Sequence, residues 1–273
     1  MKLIRQIAND KLVTISFVFL IVLFTSTIFA NILAPYDPNK QDIMNKLASP
    51  SWNHWLGTDQ LGRDIFSRLL YGGRVTILLS FVIILLILIA GFIFGSLAGM
   101  AGGSIDAIIM RTCDWLLSLP SEMISLCIIG ILGPSMLTIV LALTIVRWPW
   151  YIKMIRSEVM KEKGKNYVLF SLSSGKNKYW VFKKHMLRSL IYSLIIYSTL
   201  DMSAVVMSIS ALSFLGIGIQ PPTAEWGRML NDAREVAVVE PWQMIPAGAI
   251  IFIVVAMLNY IGDALIETMQ EKN

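Results

Sequence analysis

The chain of 273 residues is 56% hydrophobic and only 15% charged, with a formal net charge of +5 and a mean hydropathy of +0.67. Soluble domains hold about 45 to 50% apolar residues, so this composition indicates an integral membrane protein and excludes a large soluble domain. The basic excess is typical of membrane proteins, which concentrate Lys and Arg on the cytoplasmic side. We therefore expect membrane lipid as a partner and no nucleic acid.

Six apolar stretches are long enough to cross a membrane, which takes about 20 mostly apolar residues. The sequence predicts spans at about residues 12–33, 75–100, 107–132, 135–152, 190–212 and 245–265. The first is longer than the apolar core of a secretory signal, about 7 to 15 residues, so we interpret it as a retained helix. Lys2, Arg5 and Lys11 precede or open it, which predicts an all-α, multi-pass protein with both termini in the cytoplasm.

Two features mark the second and third spans. Gly91, Gly95, Gly99 and Gly103 recur at every fourth position, a spacing that lets another helix approach closely, and we expect them to serve packing within the bundle. Pro120 lies inside the third span and should bend or break that helix, because it removes a backbone hydrogen bond and clashes with the preceding turn.

The segment 153–188 is predicted to be the main cytoplasmic loop, since it holds ten Lys or Arg residues against two Glu. Asp201 lies near the middle of the fifth predicted span. An ionisable group at that depth costs at least about 2.5 kcal/mol and normally faces a bundle interior or a water-filled cavity. Asp201 is therefore a candidate for the translocation path, and an interhelical polar contact is the alternative.

No phosphate-binding loop of the form GxxxxGK[ST] occurs in the sequence. His54 and His185 are far apart and neither accompanies a nucleophile motif. Cys113 and Cys127 stand in apolar surroundings with no further Cys or His nearby, so a disulfide or a zinc site has no support. We expect no catalytic, metal-binding or cofactor-binding residue in this chain.

Two motifs stand outside the predicted spans: His-Trp-Leu-Gly-Thr-Asp-Gln-Leu-Gly-Arg-Asp from position 54, and Ser-Phe-Leu-Gly-Ile-Gly-Ile-Gln-Pro-Pro from position 213, with Trp-Gly soon after. In this order they resemble the two hallmarks of one family, the ABC importer permease subunits for oligopeptides, dipeptides and nickel, in particular the "C"-type permease. The motif residues are Gly57, Thr58, Asp59, Gly62, Arg63, Asp64, Ser213, Phe214, Leu215, Gly216, Gln220, Pro221, Pro222, Trp226 and Gly227.

The resemblance implies a type I importer transmembrane domain of six helices in the bacterial cytoplasmic membrane. It divides the chain into an N-terminal helix with an external segment, residues 1–74, and a permease core, residues 75–267. The implied partners are a homologous second permease, two cytoplasmic ATPase subunits that bind ATP and Mg, and an extracytoplasmic substrate-binding protein. Transport would proceed by alternating access, with a peptide, nickel or a metal chelate as substrate.

The resemblance also places a coupling helix, which docks on the ATPase, in the basic loop. Tyr167, Val168, Gly175, His185 and Leu187 match the family pattern. Leu169, Phe170 and Ser171 replace an acidic residue and two alanines, and Arg188 replaces a proline. Gly175 is suited to end a helix in the left-handed conformation.

The charges of the first motif are expected to pair within a compact external loop that packs on the permease itself, and direct contact with the binding protein is the alternative. Another class of protein, a gradient-driven secondary transporter or channel without ATPase partners, predicts inverted repeats and several intramembrane ionisable residues. The sequence offers no convincing repeat and only Asp201 deep in a span. A membrane-bound enzyme would require a catalytic group that the sequence does not show.

Overall fold

The computed structural model describes residues 10–270, which form helices joined by turns and loops; side chains are described to residue 267. An isolated antiparallel bridge joins Thr58 to Asp64. The α-helices are α1 (Lys11–Ile28), α2 (Ala30–Leu33), α3 (Ile65–Ala101), α4 (Gly103–Leu117), α5 (Ser121–Leu132), α6 (Met136–Lys163), α7 (Asn166–Ser173), α8 (Lys178–Val181), α9 (Leu187–Phe214), α10 (Trp226–Glu235) and α11 (Met244–Gln270). Short 3-10 turns at Ile43–Asn45 and Pro241–Gln243 and a π-helical turn at Phe182–Met186 complete the described structure.

The predicted all-α membrane fold is confirmed. Five helical stretches are long and apolar enough to cross a membrane, and α4 with α5 forms a sixth if the pair counts as one span. These two helices meet at an angle of 86°. The break falls at Ser118–Pro120, as Pro120 predicts, because a proline cannot donate the backbone hydrogen bond that would continue α4.

Two helices extend well beyond the predicted spans, and one further helix lies outside them. Helix α3 begins at Ile65, where we expected a start near Val75, and α6 continues to Lys163, well into the predicted cytoplasmic loop. The loop between the last two spans contains α10, which was not predicted as a helix. In each case the added helical turns include charged residues, which lower the mean hydropathy from which a span is predicted. Several of these charges are nevertheless buried, among them Arg68, Glu162 and Asp232.

The chain forms two compact units. The first comprises residues up to Phe81, Leu132–Ile139 and the chain from Thr199; the second comprises Val82–Ile131 and Val140–Ser198. In the first unit a hydrophobic core joins α3, α10 and α11. Its buried members are Ile65, Ile77, Trp226, Met229, Ala247, Ile251 and Val254.

Glycines of α3 pack directly against α6 within the second unit. A Cβ atom at Gly91 would lie 2.7 Å from Cβ of Tyr151, and one at Gly95 would lie 2.8 Å from the carbonyl oxygen of Ile152. Gly99 is equally close to Val159. These three glycines therefore have the packing role predicted from their spacing. Gly103 does not share it: it opens α4 with φ of +57°, and no atom lies within 4 Å of a Cβ built there.

Candidate functional site

The first motif forms a compact turn that leads into α3. Gly57 and Gly62 both have left-handed backbones, with φ of +72° and +73°. A Cβ atom at Gly62 would stand 1.7 Å from the carbonyl oxygen of Asp42. Only glycine fits both the conformation and the space at this position. The turn thereby brings Asp59, Arg63 and Asp64 to the N-terminal end of α3.

The charges of this turn join a buried cluster, here called the arginine–aspartate network: Asp59, Arg63, Arg68, Arg228 and Asp232. Arg63 donates from Nε to Asp59 at 2.6 Å and from Nη2 to Asp232 at 2.9 Å. Arg228 donates to Asp232 at 2.8 Å, and Arg68 lies 3.6 Å from both carboxylates. Because fixed partners surround each charge, the network holds the turn, α3 and α10 of the first unit together.

Asp64 and Thr58 fasten the remainder of the turn. Asp64 caps α3, accepting from the backbone N–H of Ser67 at 2.8 Å, and its second oxygen lies 2.9 Å from Nδ1 of His54. The carbonyl oxygen of Thr58 accepts from the side chain of Gln243 at 3.1 Å, although 185 residues separate them in sequence. The motif is thus tied to its own chain at both ends.

The second motif closes the end of α9 and leads to α10. Ser213 accepts from the backbone N–H of Ile219 at 3.2 Å, and the side chain of Gln220 donates to the carbonyl oxygens of Gly216 and Gly218. Gly216 has φ of +82°. The guanidinium of Arg234 lies over the ring of Phe214, and Leu215 is 59% exposed. Pro221 and Pro222 are also exposed, and a cis peptide bond joins them. This segment is therefore a turn held mainly by its own hydrogen bonds.

Trp226, Gly227 and the unpredicted Glu225 anchor α10 against α3 and α9. The indole of Trp226 donates to the carbonyl oxygen of Leu69 at 3.0 Å, and a Cβ atom at Gly227 would stand 2.2 Å from the carbonyl oxygen of Ser210. Glu225 caps α10, accepting from the backbone N–H groups of Gly227 and Arg228 and from the hydroxyl of Thr76. Burial raises the pKa of Glu225, and these bonds oppose the shift.

The residues predicted for ATPase coupling lie close together in the second unit. Val168 is fully buried, and the hydroxyl of Tyr167 donates to the carboxylate of Glu162 at 2.5 Å. His185 lies between the rings of Tyr167 and Trp180, with Nε2 at 3.0 Å from the hydroxyl of Ser171. Burial raises the pKa of Tyr167, and the bond from Lys165 to Glu162 raises the pKa of that lysine.

The helix that carries these residues, α7, presents apolar side chains outward. Phe170 is 75% exposed and Leu169 is 48% exposed. Gly175 ends the segment with φ of +80°, the left-handed conformation expected there, and Leu187 begins α9 in a half-buried position. Helix α7 therefore has one buried side, at Val168, and one exposed apolar side, at Phe170.

Asp201 lies half-buried in α9, within the candidate span Lys178–Phe214. Close to it in sequence, the hydroxyl of Ser203 donates to the side-chain oxygen of Asn259 in α11 at 2.5 Å. The side chain of Leu200 packs directly on Gly262 of α11, since a Cβ atom at Gly262 would lie 2.3 Å from it. The neighbourhood of Asp201 in the first unit is thus a polar and tightly packed contact between two apolar helices.

Within the described residues, no group of three or more His, Cys, Asp or Glu side chains is arranged to hold a metal ion. Cys113 is buried and Cys127 is exposed, and both are free thiols.

Sequence comparison identifies the protein's relatives. The profile of the family described as "Binding-protein-dependent transport system inner membrane component" matches residues 91–272. The chain belongs to this family. The profile "N-terminal TM domain of oligopeptide transport permease C" additionally matches residues 2–50 of the permease. Together the two matches support the resemblance derived from the motifs.

Individual relatives resemble the permease along most of its length. The nickel transport system permease protein NikC of Escherichia coli K12 is 40% identical over 231 residues, which cover 85% of this chain and 83% of that protein. The probable D,D-dipeptide transport system permease protein DdpC of the same strain is 34% identical over 271 residues, 99% and 91% of the two chains. The metal-staphylopine import system permease protein CntC of Staphylococcus aureus is 37% identical over 265 residues, 97% and 92% of the two chains.

The permease is accordingly a multi-pass protein of the cytoplasmic membrane and a subunit of a binding-protein-dependent ABC importer. Permease subunits of such importers are not enzymes themselves, because ATP hydrolysis takes place in separate subunits. The family therefore implies a partner permease, ATPase subunits and a substrate-binding protein.

Proposed function

We propose that this permease forms half of a translocation pathway, pairs with a homologous second permease, and imports its substrate by alternating access. Two cytoplasmic ATPases would supply the energy, with ATP and Mg bound to them, and an external binding protein would deliver the substrate. The observation that carries the proposal is family membership along nearly the whole chain. A switch between inward and outward openings is a population shift between two packings of the bundle.

The proposed substrate is nickel, a metal chelate or a short peptide. The three relatives described above are named for nickel, a D,D-dipeptide and metal-staphylopine. All three solutes are small and polar and need a path that shields them from lipid. Asp201 supports such a path, since a carboxylate within a span attracts a metal cation or the amino group of a peptide.

We further propose that α7 is the coupling helix and docks on an ATPase subunit. The exposed Phe170 and Leu169 supply apolar contact, and Tyr167, Val168, Gly175, His185 and Leu187 hold the segment in position. A carboxylate is absent from the exposed face of α7, so contact with the ATPase would depend on apolar burial. The positive charge of segment 153–188 supports an orientation with α7 on the cytoplasmic side of the membrane.

The first experiment is affinity purification of the tagged chain from gently solubilised membranes, followed by mass spectrometry. We expect stoichiometric recovery of a homologous permease and of ATPase subunits with phosphate-binding loops. A homo-oligomer without an ATPase that still transports after reconstitution would refute the proposal and favour a gradient-driven transporter.

Uptake of radioactive nickel and of labelled dipeptide into cells that express the whole transporter distinguishes the substrates. Asp201→Asn removes the charge while retaining the shape of the side chain. We expect at least a tenfold loss of uptake at unchanged expression. Unchanged uptake would exclude Asp201 from the path and would leave it as an interhelical contact.

A further inference from the structure

A basic and aromatic surface lies where α8, the π-helical turn and the first turns of α9 follow one another in the second unit. The buried side of this segment is formed by Val181, Met186, Leu190 and Leu194, none of them more than 9% exposed. Val181 and Met186 are five positions apart because the π-helical turn, with its wider i to i+5 spacing, lies between them. The following intervals are four positions, the spacing of residues on one side of an α-helix. The segment therefore presents one constant side to solvent or lipid.

The outward side repeats the same spacing with Tyr179, Lys184, Arg188 and Tyr192. All four are exposed, Tyr179 by 73% and Tyr192 by 45%. Since a helix rises about 1.5 Å per residue, the four side chains extend over roughly 20 Å. These four residues are called the lipid face.

Beside this face the polarity changes in one direction along the helix. Lys183 is exposed at the level of Lys184, whereas Ile191 and Ile195, further into the span, are 45% and 53% exposed. The guanidinium carbon of Arg188 lies 5.8 Å from the centre of the Tyr192 ring, at the boundary between the two regions. Cations, then an aromatic ring, then aliphatic side chains follow one another, as a phospholipid presents phosphate, glycerol and acyl chain.

The cations of this surface lack acidic neighbours in sequence, because no Asp or Glu occurs between Glu162 and Asp201. The ion pairs that the structure describes in this unit involve other cations, Lys153, Arg156 and Lys165. Lys184 and Arg188 are thus exposed positive charges at the edge of a membrane-spanning helix. An anion from outside the chain is the partner that such charges attract.

We infer that the lipid face and the adjoining isoleucines bind an anionic phospholipid, with its phosphate at Lys184 and Arg188 and its acyl chain along Ile191 and Ile195. An acidic surface of a cytoplasmic protein would reach the cations but not the isoleucines, which lie within the span. An apolar helix of a second permease would cover the isoleucines and leave the cations unpaired. A phospholipid of the adjoining leaflet satisfies both regions at once.

Native mass spectrometry of the full chain, purified alone or with its partner subunits, measures this binding. The protein is titrated with phosphatidylglycerol and, separately, with zwitterionic phosphatidylcholine. Because each surface cation contributes about a fivefold factor to the affinity for an anionic lipid, the double variant Lys184→Gln/Arg188→Gln should bind phosphatidylglycerol about 25-fold more weakly. Binding of phosphatidylcholine should change less than twofold.

The matched control is Arg111→Gln/Lys161→Gln, which removes two exposed cations elsewhere in the same unit. It should retain phosphatidylglycerol affinity within about twofold, as should the charge-conserving Lys184→Arg/Arg188→Lys. The single variant Lys184→Gln, with an expected fivefold loss, replaces the double variant if the latter does not fold.

Three results would overturn the inference. The first is an unchanged affinity of Lys184→Gln/Arg188→Gln for phosphatidylglycerol, and the second is an equal loss in the control, which would indicate unspecific charge. The third is loss of the ATPase subunits from the double variant with lipid binding intact, which would assign this surface to the ATPase.

Discussion

Removal of Asp232 tests whether the arginine–aspartate network stabilises the permease. Asp232 is 6% exposed and accepts from Arg63 at 2.9 Å and from Arg228 at 2.8 Å, with Arg68 at 3.6 Å. Asp232→Asn leaves Asp59 as the one carboxylate of the network, beside Arg63 and Arg68, and removes the carboxylate that pairs with Arg228. Breaking a buried ion pair from one side costs about 3 to 5 kcal/mol, and we expect the upper part of that range.

Arg63→Gln should cost less, about 3 kcal/mol. After this change Asp59 still accepts from the backbone N–H of Leu61 at 2.9 Å and lies 3.6 Å from Arg68. The control is Glu235→Gln, since Glu235 is exposed and bonds to Gln60 outside the network. That substitution should change the stability by no more than about 0.5 kcal/mol.

Thermal unfolding of the purified protein in detergent, followed by tryptophan fluorescence, provides the measurement. At about 2 to 4 °C per kcal/mol, Asp232→Asn should lower Tm by roughly 10 °C or more and Arg63→Gln by somewhat less. A Tm for Asp232→Asn within about 3 °C of the Glu235→Gln value would show that the network contributes little. An Arg63→Gln effect larger than that of Asp232→Asn would contradict the assignment of Asp232 as its centre.

Three further predictions concern other sites. Burial raises the pKa of Glu225 above its ordinary value of 4.5, so the folded state binds more protons than the unfolded state. As the pH rises above about 4.5, the wild type should therefore lose stability relative to Glu225→Gln. Parallel profiles of stability against pH for the two proteins would contradict this. Gly95→Ala should destabilise the permease by about 1 to 3 kcal/mol, because the added methyl group overpacks the contact with α6. Gly130→Ala should stabilise the permease slightly, because Gly130 lies on a helix with open space around it. The denaturation midpoints of the two variants and the wild type provide the comparison. Phe170→Ala should weaken ATPase co-purification at least tenfold, and full recovery would exclude α7 as the docking helix.

Much of the fold follows from hydropathy because lipid requires long apolar helices with satisfied backbones. The start of α3 does not, since its first turns contain Arg68, Gly72 and Gly73, which are typical of a loop. Arg68 is nevertheless only 2% exposed, because the carboxylates of Asp59 and Asp232 lie 3.6 Å from it and compensate its charge. Asp232 is far from Arg68 in sequence. Helix α10 does leave a local signal: Trp226, Met229 and Ala233 recur at helical spacing, and the loop assignment overlooked it.

The candidate site was predictable to a similar degree. The motif glycines and charges are recognisable in sequence, and their compact turn follows from glycine geometry. Their partners are not recognisable, because Asp232 and Gln243 bond to the first motif from 169 and 185 residues away in sequence. Glu225 was also missed; its position directly before Trp226 is where a helix cap is expected, although Glu is an uncommon capping residue. The exposure of Phe170 could likewise not be predicted from the sequence, because it depends on which side of α7 packs against the rest of the second unit.

The distance in sequence between Arg63 and Asp232 has a consequence for biosynthesis. At about 5 to 20 residues per second, the ribosome needs roughly 8 to 34 s to add the 169 residues that separate the two partners. During that interval the first motif has left the ribosome with Asp59, while Asp232, the second carboxylate that Arg63 and Arg68 share, has not been made. The nascent permease must therefore keep Arg63 and Arg68 hydrated or shielded by other factors, and truncated chains that end before α10 should be substrates for membrane quality-control proteases.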